Sequence, residues 1–136
     1  MIVADASVLA NAVGDDGAAG AAARAALRKT ELSFPDLAAV EVVSVLRRRW
    51  LAGFLSDSRF EAAVVDLAAL PADRYPITPL LWRAFELRSN VTPYDAVYVA
   101  LAEALACTLV TGDQRLAGAP GIKCDVIVVN ETTPLG

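Results

Sequence analysis

Two hydrophobic periods alternate along the chain: short continuous apolar runs, and longer stretches with apolar residues every three or four positions. Ile2-Val-Ala reads as a strand ending at Asp5, after which Ala6-Ser-Val-Leu-Ala turns into a short helix. The turn Gly14-Asp-Asp-Gly17 leads to an alanine-rich helix over 18–27. Arg24, Arg28 and Lys29 lie toward its C-terminal end, where cations suit the dipole, and its shallow apolar side suits another helix. Residues 31–34 read as a second strand, and Pro35-Asp36 opens a long helix ending near Gly53, a C-cap. Ser56 or Asp57 caps the next helix, through about Leu70. A third strand is expected over 73–78, confined to an edge or a strand end by its proline.

Residues 79–87 carry Leu81, Trp82 and Phe85 at helical spacing. Thr92 then reads as an N-cap, Pro93 as the first helical residue and Asp95 as the acid of a capping box. Val97, Leu101 and Leu105, with Ala100 and Ala104, give that helix a buried face, so Asp95 sits at the rim of the core. A strand over 107–111 closes at Gly112-Asp113. A helical turn at 114–117, a glycine-proline loop, a last strand over 125–129 and a polar tail from 131 to 136 complete the chain. Strands separated by helices imply a parallel sheet covered on both faces through right-handed crossovers. The expected fold is α/β: a three-layer α/β/α sandwich around about five short, mostly parallel strands, in one domain over 1–136. Ligands of such sheets bind beyond the carboxyl ends of the strands.

Composition narrows the chemistry. With 56% hydrophobic and 21% charged residues the chain is expected to fold throughout. Apolar runs such as 37–46 are too short to span a bilayer, and the N-terminus lacks the regions of a signal peptide, so a cytoplasmic protein with no membrane contact is expected. Cys107 and Cys124 sit in strand-like runs and are expected to be buried free thiols. The absence of histidine removes histidine triads, imidazole bases and histidine-rich zinc sites. A formal charge of −4 argues against holding nucleic acid by bulk charge.

Against that background, lone acids stand out. Asp5, Glu41 and Asp95 each interrupt apolar sequence, and Asp113 follows a strand directly, so all four are expected to converge at the C-terminal sheet edge. Asp5 and Asp113 also suit N-caps and Asp95 a capping box, whereas Glu41, among Val40, Val42, Val43 and Val45, demands a partner or a metal. At ~5 Å and an effective dielectric of ~20, each like-charge pair costs roughly 3 kcal/mol. Such a cluster calls for raised proton affinities or hard divalent ions, Mg²⁺ or Mn²⁺ for all-oxygen ligands. Ser7 and Thr111, each two residues from a site acid, can orient ligands or water, or serve as ordinary turn hydroxyls. Two divalent ions would cancel the formal charge, so a nucleic-acid substrate becomes compatible with the acidity and phosphodiester hydrolysis is the natural reaction. Candidates for contacts to a nucleic-acid backbone are Arg47, Arg48 and Arg49 beside Trp50, then Arg83, Arg88 and Arg115. Solvated dipole partners are the alternative for the arginines, and core or a subunit contact for Trp50.

With Met-Ile-Val-Ala-Asp5-Ala-Ser, the Glu41 helix, Thr92-Pro-Tyr-Asp95-Ala-Val-Tyr-Val-Ala-Leu-Ala and Leu109-Val-Thr-Gly-Asp113-Gln-Arg-Leu, the whole chain resembles the PIN-domain family, and within it the VapC-type toxins of type II toxin–antitoxin pairs. The resemblance implies that Asp5, Glu41, Asp95 and Asp113 are the catalytic, metal-binding acids, with Ser7 and Thr111 as supporting hydroxyls. It implies a prokaryotic Mg²⁺- or Mn²⁺-dependent endoribonuclease that cuts RNA and blocks translation. It further implies a homodimer or toxin–antitoxin hetero-oligomer, with a cognate antitoxin on a separate chain sending a basic side chain into the acidic site. Two other readings compete. A Mg²⁺-dependent phosphatase using Asp5 as nucleophile would normally place a second aspartate two residues on, and Asp5-Ala-Ser has none. A catalytically silent PIN-like binding module would tolerate loss of the acids, and all four are present.

Overall fold

The central strand is the first one. In the computed structural model, which describes residues 1–28 and 30–133, β1 (Ile2–Ala4) lies between β2 (Leu32–Pro35) and β4 (Thr108–Thr111). Edge strands β3 (Asp73–Tyr75) and β5 (Val126–Val128) complete the order β3-β2-β1-β4-β5, and every pairing is parallel. The apolar runs make buried strands: Val3, Ala4, Phe34 and Leu109 are wholly inaccessible. Lys29 and the last three residues of the polar tail lie outside the described residues.

The expected third strand is shorter than 73–78 and sits at the edge, ending just before Pro76. Pro35 ends β2 instead of opening the following helix. It pairs with Tyr75 on one side, and β1 pairs no further than Ser33 on the other, so its missing N–H is not required there. Helix α3 (Leu37–Leu51) then ends in a Schellman motif. The N–H groups of Gly53 and Phe54 reach the carbonyls of Trp50 and Arg49, and Gly53 takes φ 84, which a side chain would resist.

Right-handed crossovers put α1 (Ala6–Gly14), α2 (Ala18–Arg28), α3 and α4 (Asp57–Ala69) on one face of the sheet, where α1 packs on the other three. Arg24 does not serve its own helix end: it reaches back to the carbonyls of Ala12 and Asp15 at 3.2 and 2.7 Å, placing its cation at the C-terminus of α1. On the other face, α6 (Pro93–Ala104) lies on β1, β2 and β4, with α5 (Leu81–Glu86) against it and α7 (Gln114–Ala117) beside β5. Residues 96–102 of α6 are all buried, a broader contact than the single face read from the spacing.

The surface adds two findings. Short α5, preceded by a 3₁₀ turn at Thr78–Leu80, buries Leu80, Ala84 and Leu87, while Leu81, Trp82 and Phe85 face out. Two apolar stripes compete on this helix, and the smaller side chains fit the close approach to α6. Cys107 and Cys124 are free, as expected, but only half-buried, just before β4 and β5.

Candidate active site

Strand order reverses beside β1, which opens a crevice past the carboxyl ends of β1 and β4. Asp5 follows β1 there, and its side chain caps α1 by accepting from the N–H groups of Ser7 and Val8 at 3.1 and 3.3 Å. It is 6% exposed. Ser7 Oγ donates to Oδ1 at 2.6 Å and the Thr111 hydroxyl donates to Oδ2. Each hydroxyl is held from behind: Ser7 Oγ accepts from the Gly112 N–H at 2.9 Å, and Thr111 Oγ1 accepts from the Asp113 N–H at 3.0 Å. Two parallel hydrogen-bond chains therefore run from the loop after β4 onto the two oxygens of Asp5. Both hydroxyls thus hold Asp5 itself.

Glu41 and Asp95 enter from helices. In a crossover the helix runs back against the strands, so the first turns of α3 and α6 lie at the same sheet edge as Asp5. Thr92 accepts from the Asp95 N–H at 3.2 Å, which fixes the start of α6. Glu41 accepts from Tyr98 Oη at 2.6 Å, joining α3 to α6. Tyr98 is 1% exposed, and the sequence reading passed over it. Its signal was available: Tyr98 lies three residues after Asp95, one turn along the same helix face, and it carries a hydroxyl that must find a partner when buried. Glu41 has less apolar company than expected, since Val40 is 75% exposed.

Charge couples the four acids. Burial raises the pKa of Asp5. Burial also raises Glu41, with the charges of Asp95 and Asp5 adding to it against the Tyr98 hydroxyl. Asp95 is raised by burial and then by Asp5 and Asp113. Burial and the Glu41 contact push the Tyr98 hydroxyl up, so it stays a donor. Asp113 alone is held down, by the hydrogen bond from Arg115, whose Nε lies 3.2 Å from Oδ1. Raised carboxyl pKa values mean that the folded chain holds protons more tightly than the unfolded chain. Stability from these three acids is thus greatest below the ordinary carboxyl range and is lost as pH rises through the raised values. In metal-free buffer, Asp95→Asn is expected to melt with wild type near pH 4 and a few degrees above it at pH 7. A melting difference that does not change with pH would contradict this coupling.

The donor set is all oxygen and, among the described residues, Asp5, Glu41 and Asp95 have no basic side chain within 4.0 Å, which suits a hard divalent cation. As placed, no three acidic or cysteine side chains among the described residues stand close enough to hold one ion. Three of the four are engaged by other side chains: Asp5 by Ser7 and Thr111, Glu41 by Tyr98 and Asp113 by Arg115. Asp95 and Asp113 line one cleft with Thr92, Asn90 and Arg115.

The other arginines separate sharply. Arg47 and Arg48 are exposed. Arg49 is drawn into the seam between α1 and α3, where Nη2 donates to Asn11 Oδ1 at 2.6 Å and Nη1 is buried without a protein partner, so it is not presented to a substrate. Arg83 is tied to Glu103 at 2.7 Å and to the Gly121 carbonyl, and Arg88 lies over the Phe85 ring. Trp50 is 40% exposed and donates to Asp57 at 2.6 Å.

Comparison with known proteins agrees with this architecture. The PIN domain family model matches residues 2–122. Ribonuclease VapC1 of Mycobacterium tuberculosis is 41% identical over 128 residues, 93% of this chain and 96% of that one. Ribonuclease VapC12 of the same species is 37% identical over 129 residues, 95% and 99% of the two chains. Among solved structures, Mycobacterium tuberculosis VapC20, described as a sarcin-ricin loop cleaving toxin, superposes with a TM-score of 0.70 at 15% identity, covering 90% of this chain and 97% of its own. VapBC2 from Rickettsia felis, bound to a promoter DNA fragment, gives 0.67 at 12% identity, covering 96% and 100%. At those identities the two structures speak to the fold.

Proposed function

The chain belongs to the PIN-domain family, and on that premise we propose that it is a VapC-type endoribonuclease toxin, hydrolysing RNA phosphodiesters to block translation and held inactive by a cognate antitoxin on a separate chain. The observation that carries the catalytic half of this reading is the buried Asp5, fixed at both oxygens, with Glu41, Asp95 and Asp113 close enough to perturb one another electrostatically. We assign Asp5, Glu41, Asp95 and Asp113 as the residues that would hold Mg²⁺, with Mn²⁺ as a substitute. A divalent ion supplies Lewis acidity, activation of water near neutral pH and charge to balance the leaving oxygen.

The chain's own groups do the positioning. Ser7 and Thr111 keep Asp5 in one orientation, with both hydroxyl protons directed at its carboxylate. Tyr98 restrains Glu41 in the same way. The exposed apolar side chains of α5, Trp82 and Phe85, and of the α3–α4 pair, Trp50 and Val65, support an assembly with further subunits, a homodimer or a toxin–antitoxin complex.

The test is RNA cleavage by the purified protein with Mg²⁺, with Mn²⁺ and after chelation. Cleavage is expected with either ion, with loss on chelation and recovery when Mg²⁺ is returned. Cleavage that survives chelation would overturn the metal-dependent reading. In parallel, Mg²⁺ at a hundred times its dissociation constant should stabilise the fold by about 2.7 kcal/mol. A melting temperature that stays flat across the titration would count against a metal site.

A further inference from the structure

We propose that Arg115 is a built-in counter-ion that occupies Asp113 until a divalent ion takes its place, and that the released guanidinium then contacts the RNA backbone. The inference rests on the metal-dependent reading above and adds to it a competition within the chain. Arg115 engages both oxygens of Asp113: its backbone N–H lies 2.9 Å and its Nε 3.2 Å from Oδ1, and Nη2 lies 3.4 Å from Oδ2. Asp113 caps α7 and Arg115 lies two residues on, so the pairing is local and needs no other element.

Nothing else among the described residues hydrogen-bonds this guanidinium, and the side chain is 92% exposed against 32% for Asp113. An exposed pair of this kind is weak. A divalent ion brings twice the charge to the same oxygens, so exchange costs little. Once released, Arg115 offers a planar fork of N–H donors at the rim of the cleft lined by Asp95 and Asp113, the geometry that suits a phosphate.

The proposal predicts two effects of opposite sign from one substitution. In Arg115→Gln, without RNA, the dissociation constant for Mn²⁺ measured by titration calorimetry should fall by about two- to fivefold, the worth of an exposed ion pair. At saturating Mn²⁺, kcat/KM for RNA should fall by about tenfold, as for a lost charged hydrogen bond. Its dependence on log salt concentration should become shallower by about one unit. Arg115→Lys, which keeps the charge without the fork, should keep the salt dependence. A cap that is never displaced would leave the salt slope unmoved. Unchanged or weaker Mn²⁺ binding in Arg115→Gln, or an unchanged salt slope, would overturn the proposal. Wild type and Asp5→Asn run alongside separate the two levels: Mn²⁺ binding lost in Asp5→Asn leaves the metal reading standing and judges Arg115 alone, whereas no Mn²⁺ binding by wild type defeats both.

Discussion

Asp5→Asn is expected to lower kcat/KM for RNA cleavage by more than about a hundredfold while the fold persists. A carboxylate that holds a cation contributes more than the groups that orient it, and losing an orienting partner typically costs about 10–100-fold. The series Ser7→Ala and Thr111→Val therefore sets the scale, each within that range, with Asp5→Asn beyond it. The substitution suits the surroundings. Asparagine caps a helix as well as aspartate does, so Oδ1 can keep the N–H groups of Ser7 and Val8 that begin α1. The new amide NH₂ meets Thr111, whose hydroxyl already accepts from Asp113 and can turn to accept a second bond. A buried charge is removed at the same time. Glu41→Gln and Asp95→Asn should likewise abolish metal-dependent cleavage. The measurement is initial rates at saturating Mg²⁺ alongside circular-dichroism melting. Full activity in all three variants would remove the acids from the mechanism.

Gly20→Ala should destabilise the protein by about 2–3 kcal/mol, the cost of overpacking, or roughly 10 °C in melting temperature for a chain of this size. The direction is opposite to what a helix interior suggests, where alanine is better than glycine by roughly 0.5–1 kcal/mol. Gly20 lies in the first turn of α2, and its N–H donates to Asp15 Oδ1 at 3.0 Å. A Cβ there would stand 1.8 Å from the Asp15 carbonyl oxygen, a backbone atom that cannot rotate away. Relief requires α2 to move off α1, against which it is packed. Gly118→Ala is the control, since its nearest atom would be 4.0 Å away. A melting temperature equal to or above wild type in Gly20→Ala would show that α2 has freedom the structure does not give it.

Gly20 also marks where reading the chain stops. The alternation of apolar runs and helical spacing already gives five strands and the helices between them, because each element must bury a face of its own period. The same alternation, with right-handed crossovers, gives a parallel sheet. The lone acids were legible for a related reason: a charge inside apolar sequence is too costly to be there by default, and Asp5, Glu41 and Asp95 all show the expected rise in proton affinity. Capping by Thr92 was legible because it is local, acting across three residues.

What the sequence by itself determined is therefore what depends on near neighbours and on burial in general: element types, the α/β class, the sheet edge to which the acids go. The tertiary structure alone decided which contacts close across the chain. Thr111 reaches Asp5 over 106 positions, Tyr98 reaches Glu41 over 57 and Arg49 reaches Asn11 over 38. It also decided that α5 buries Ala84 and exposes Trp82, and that Gly20 has no room for a methyl group. Periodicity states that a helix has an apolar side but not which of two such sides meets a neighbour. That choice is made by the distance between packed backbones, a quantity that exists only once the elements have been assembled.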